Sequence, residues 1–79
     1  MGQPQTLSDL PVGARARVLR VEDADGAGGR LLDLGFLPGT PVTCRRRAPL
    51  GDPRVYELRG VQMCLRHNEA RKILVEADE

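Results

Sequence analysis

Few residues in this 79-residue chain could do chemistry, and they are widely spread. Cys64 and His67 stand three apart in Cys-Leu-Arg-His, and Cys44 lies well upstream. Two thiolates and an imidazole suit a soft metal, but a structural zinc site takes four ligands. Two cysteines and one histidine fall short of that number. A catalytic ferrous site usually combines two histidines with a carboxylate, which a single histidine cannot supply. Cys44 alternates in phase with Val42, as a small apolar core residue would. Cys64 and His67 therefore remain the only candidate ligands, and neither a metal nor another cofactor is expected.

Catalytic patterns are missing as well. No Ser-His-Asp set, paired carboxylates or Walker-type loop stands out, so no enzyme is expected. Gly26, Gly28 and Gly29 precede a helical stretch, where backbone N–H groups could cradle a phosphate. Their spacing is not that of a P-loop and no Gly-Lys-Ser/Thr follows, so they read as loop residues. What remains is a surface for binding. Arg45-Arg46-Arg47 falls in a strand, where alternation should split the three between faces and deny them one flat patch. Arg45, Arg47 and Arg54 are candidates for docking on an acidic face. The plain alternative is a solvated surface, where exposed charges contribute little. Leu50 is expected at the tip of the Ala48-Pro49-Leu50-Gly51-Asp52-Pro53 loop. An apolar side chain on a proline-stiffened loop is a natural interface anchor, with Asp52 beside it.

Composition narrows the partner. Net charge is +1 but unevenly distributed: residues 41–75 carry eight basic groups against three acids, and Glu76, Asp78 and Glu79 follow. The basic middle favours an acidic partner without requiring nucleic acid. The only aromatics are Phe36 and Tyr56. That is too few for a proline-peptide groove or for stacking single-stranded bases. The first ten residues lack the pattern of a secretory signal, and no apolar run reaches the ~18 residues of a membrane span. With two isolated cysteines, this describes a soluble cytoplasmic protein with free thiols, not itself membrane-embedded.

The elements that must position these residues are short. Leu10-Pro11-Val12-Gly13 is a turn. In Ala14–Val21 the apolar positions run 14, 16, 18 and then slip to 19 and 21, which predicts a β-bulge and a bent strand. Residues 22–29 read as a loop. Leu31 and Leu34 mark a helix of about two turns, capped by Gly35 in a left-handed conformation, with Phe36 packing back. Leu37-Pro38-Gly39 predicts a type II turn. Further strands follow at 41–47 with Val42 and Cys44 inward, at 54–59 with Tyr56 and Leu58 on one face, and at 61–66 with Val61, Met63 and Leu65 on one face alternating with Gln62, Cys64 and Arg66. A single helical turn is expected at His67–Ala70, then a last strand at 71–75 with Ile73 and Val75 toward the core. The result is one mostly-β domain over 1–79, a partly open barrel of about five strands with one short α-helix, and flexible ends at 1–6 and 77–79.

Several of these pieces together resemble the FeoA family of small cytosolic proteins of bacterial ferrous iron uptake. They are Leu7-Ser8-Asp9-Leu10-Pro11-Val12-Gly13, Arg30-Leu31-Leu32-Asp33-Leu34-Gly35-Phe36-Leu37-Pro38-Gly39, the Ala48–Pro53 loop, Arg59-Gly60, Leu65-Arg66 and Glu69-Ala70. The similarity runs from about Leu7 to Glu76. It implies an SH3-like barrel and a non-enzymatic accessory role, binding the cytosolic GTPase region of the membrane transporter FeoB. The same barrel also serves as an accessory domain of iron-dependent repressors, but 79 residues leave no room for a helix-turn-helix. The alternatives are a small nucleic-acid-associated barrel and a GTPase-activating or exchange factor for the transporter. An open sheet edge would also permit a homodimer.

Overall fold

Six strands form one antiparallel sheet in the computed structural model, which describes residues 5–22 and 28–77. In chain order they are β1 (Gln5–Thr6), β2 (Arg15–Val21), β3 (Pro41–Arg47), β4 (Arg54–Leu58), β5 (Val61–Leu65) and β6 (Ile73–Ala77). The spatial order is β1-β6-β2-β3-β4-β5, so the sheet is not closed and β1 and β5 are its edges. A single 3-10 turn, Leu7–Asp9, follows β1. The short helix α1 (Gly28–Asp33) joins β2 to β3, and the one-turn helix α2 (His67–Ala70) precedes β6.

Local chemistry explains most of these boundaries. Ala14 N–H donates to the Pro11 carbonyl at 3.0 Å, closing the turn, and Gly13 takes φ 90°. The expected phase slip in β2 is a register shift against β6 between Val18 and Arg20. It bends the strand so that β2 pairs with β6 along its length and with β3 over Arg15–Arg17. Helix α1 ends in a Schellman motif: Phe36 N–H donates to the Leu31 carbonyl and Gly35 N–H to the Leu32 carbonyl, at 3.2 and 3.0 Å. Phe36 is then buried beside Leu31 in the core. The type II turn follows, with Gly39 at φ 88° and Thr40 N–H donating to the Leu37 carbonyl at 3.1 Å.

The core gathers Leu7, Val18, Leu31, Phe36, Val42, Cys44, Tyr56, Leu65, Ile73 and Val75, all essentially inaccessible. None of the described helices is long and apolar enough to cross a membrane.

Among the described residues the structure departs from the expectations in five places. The strands number six rather than about five, because Gln5–Thr6 pairs with Leu74 and Val75 of β6. Those two residues and Ala77 were expected in flexible ends, but they belong to strands. The helices number two, because the single turn at 67–70 is a helix in its own right. Strand β5 does not bury its expected face: Leu65 is buried, Met63 half-buried and Val61 56% exposed. As an edge strand running out to the β4–β5 hairpin tip, β5 passes beyond the core's cover. Finally, Gly28 and Gly29 open α1 instead of belonging to the loop, whose residues 23–27, with Gly26, lie outside the described residues.

Candidate functional site

The β3–β4 connection is built to be rigid and to present one side chain. Ala48 N–H donates to the Pro53 carbonyl at 2.9 Å, and Gly51 N–H donates to the Ala48 carbonyl at 2.7 Å. Pro49 and Leu50 thus occupy the centre of a closed turn, with Gly51 at φ 90° after it. Asp52 fastens the loop from the side, its Oδ1 accepting the His67 N–H at 2.8 Å. On this frame Leu50 is 97% exposed, the most exposed of the large apolar side chains among the described residues. Burying a leucine is worth about 1.5–3 kcal/mol, and that stabilisation is left unused in the isolated chain.

Arg54 is not on this surface. Its Nη1 donates to the carbonyls of Ser8 and Leu10, at 2.9 and 3.0 Å, and its Nε to that of Gly51 at 3.4 Å. Beside it the buried Tyr56 hydroxyl donates to the Leu7 carbonyl at 3.3 Å. Together the two side chains tie the 3-10 turn to β4, so Arg54 acts as a structural clasp. The sequence carries a signal for this: residues 54, 56 and 58 share one strand face, and two apolar side chains, Tyr56 and Leu58, mark that face as the one to bury.

The three arginines of β3 also differ from expectation. The register against β4 shifts between Cys44, opposite Tyr56, and Arg46, opposite Val55, leaving Arg45 as the extra residue of a bulge. Strict alternation is lost there, and Arg45, Arg46 and Arg47 are all exposed. All three line one shallow open depression of about 580 Å³ with Pro11 and Val12. Arg45 is paired through Nε with Glu57 Oε1 at 3.2 Å.

The thiols and the imidazole are not brought together. Cys44 is fully buried in β3, where burial pushes its thiol pKa up. Cys64 is exposed on β5, and His67 opens α2. Among the described residues no three His, Cys, Asp or Glu side chains gather as a ligand set. One further contact was not anticipated: Arg30 of α1 pairs with Glu69 of α2, tying the two helices together.

Comparisons with known proteins agree with this architecture. The FeoA domain model matches residues 5–77. A fusion of Fe(2+) transport protein A with the Fe(2+) transporter FeoB, from Porphyromonas gingivalis, is 39% identical over 70 residues. The matched stretch is 89% of this chain and only 8% of that much longer relative. The NMR structure of a FeoA-like protein from Clostridium acetobutylicum superimposes with a TM-score of 0.89 at 30% identity, covering 98% of this chain and 90% of that one. The crystal structure of Stenotrophomonas maltophilia FeoA complexed with zinc, described as a procaryotic SH3 domain protein, gives a TM-score of 0.83 at 34% identity. That match covers 91% of this chain and 89% of the other. With a family model spanning all six strands and relatives that share both sequence and sheet, the chain belongs to the FeoA family.

Proposed function

We propose that this chain is a non-enzymatic accessory protein of ferrous iron uptake that docks on the cytosolic GTPase region of a FeoB-type transporter. The observation that carries the reading is Leu50, almost wholly exposed on a loop that hydrogen bonds hold rigid. A pre-ordered apolar anchor loses little entropy on burial, which is what a docking side chain needs. The relative in which a FeoA unit is fused to FeoB supports the choice of partner. So does the Stenotrophomonas protein, put forward as a bacterial ferrous iron transport activating factor. Docking would act by favouring one conformational state of the transporter over another. Both aromatics, Phe36 and Tyr56, are fully buried, which weighs against the alternative of a nucleic-acid-associated barrel.

The test is an NMR titration of labelled protein with the transporter's isolated cytosolic domain. Shifts should centre on Ala48–Pro53, and Leu50→Ser should weaken binding about tenfold or more, as loss of an interface anchor does. Unchanged affinity in Leu50→Ser would remove the loop from the interface. GTP hydrolysis measured in the same mixture separates an activating factor from a scaffold.

A further inference from the structure

The depression at the end of β3 has a chemistry of its own, distinct from that of the Leu50 loop. Three guanidinium side chains from consecutive residues converge on it, because the bulge at Arg45 cancels the alternation that would have separated them. Only Arg45 has a carboxylate partner, Glu57; among the described residues Arg46 and Arg47 have none. Three like charges set side by side on one face repel one another. A surface of this kind gains when an anion arrives, since the anion relieves repulsion as well as adding attraction.

Two observations select the class of anion. First, the depression is not purely ionic: Pro11 is exposed and Val12 is 49% exposed along its wall. An occupant should therefore bring an apolar side chain together with its negative charges. Second, the chain's only two aromatics, Phe36 and Tyr56, are sealed in the core. No aromatic platform is left on the surface for stacking bases, and a net charge of +1 provides no broad field for a phosphate backbone. From these we infer that the Arg45–Arg47 depression is a docking site for a carboxylate-rich protein segment carrying an apolar residue, held by arginine–carboxylate pairs and by Val12. This site adds a second, electrostatic foothold beside the Leu50 loop and does not depend on which protein supplies the segment.

A direct test uses a synthetic nine-residue peptide, one leucine flanked on each side by four glutamates, titrated into the labelled chain at low salt. The backbone signals of 45–47 and the Val12 methyls should shift, and the affinity should fall as salt is raised. The same peptide with glutamine in place of glutamate should not bind. The double variant R46E/R47E, both positions being exposed, should keep the wild-type spectrum elsewhere and bind at least about fivefold more weakly. V12D, a second variant on the apolar wall, should also weaken binding. The inference is overturned if the peptide produces no shifts, if its shifts lie elsewhere, or if R46E/R47E binds as tightly as wild type. It is also overturned if a single-stranded thymidine oligonucleotide of equal charge binds as well as the peptide.

Discussion

Tyr56 points from β4 into the core, with its ring inaccessible and its hydroxyl held by the Leu7 carbonyl. Burial, reinforced by the neighbouring Cys44, pushes its pKa from 10.0 up to about 12. The folded tyrosine thus keeps its proton at a pH where the unfolded chain has already lost it. Below pH 10 this group leaves stability independent of pH. Between pH 10 and about 12 unfolding releases a proton, and stability should fall by about 1.4 kcal/mol per pH unit. Tyr56→Phe should lack this component of the alkaline decline and be about 0.5–1.5 kcal/mol less stable at neutral pH, because the Leu7 carbonyl loses one of its two donors and keeps only the Leu10 N–H. Urea unfolding of both proteins across this range checks the point; parallel curves would show that Tyr56 is not the group involved. At this scale the sequence was legible wherever a residue's type matched its strand phase. Cys44 was read as core from Val42, and Leu50 as exposed from its loop. Arg54 was misread because a charged residue on an inward phase was assigned by its charge instead of by its neighbours Tyr56 and Leu58.

Among the elements, the end of α1 gives the sharpest prediction. Gly35 takes φ 111°, and a Cβ there would come within 3.1 Å of Leu58 Cδ1. Gly35→Ala should therefore cost about 1–3 kcal/mol, combining backbone strain with a displaced core side chain. Gly13→Ala provides the control, since Gly13 also has positive φ but open space around it. It should show the strain alone, and equal losses in the two variants would mean that the Leu58 contact contributes nothing. Turns, caps and the β2 bulge were legible because each rests on a few adjacent residues. The bulge at Arg45 left no such trace, since Arg-Arg-Arg shows no phase of apolar residues to slip. Strand β1 was hidden for a related reason: two residues hold no pattern, and Gln5–Thr6 is a strand only because β6 lies beside it.

At the scale of the molecule, the two proposed footholds adjoin in the chain, with Arg47 leading directly into the loop that carries Leu50. The chain can therefore present a charged and an apolar contact from one hairpin while its core stays sealed. The sheet order sets a different constraint. Strand β6 lies between β1 and β2, and its Ile73 and Val75 are fully buried. A chain ended after Lys72 would lose an interior strand instead of a margin, leaving β1 without a partner. Circular dichroism and amide NMR should show it unfolded at room temperature; a folded truncation would refute that account. The same topology sets a timetable. β6 is the last of the six strands to leave the ribosome, yet it completes the pairing of the first two. During synthesis β2 to β5 can pair in chain order, but β1 and the β6-facing edge of β2 must wait open until Ile73–Ala77 emerges. The sheet is completed only by that late event, and until then the nascent chain exposes an edge that a chaperone or a stray strand could capture.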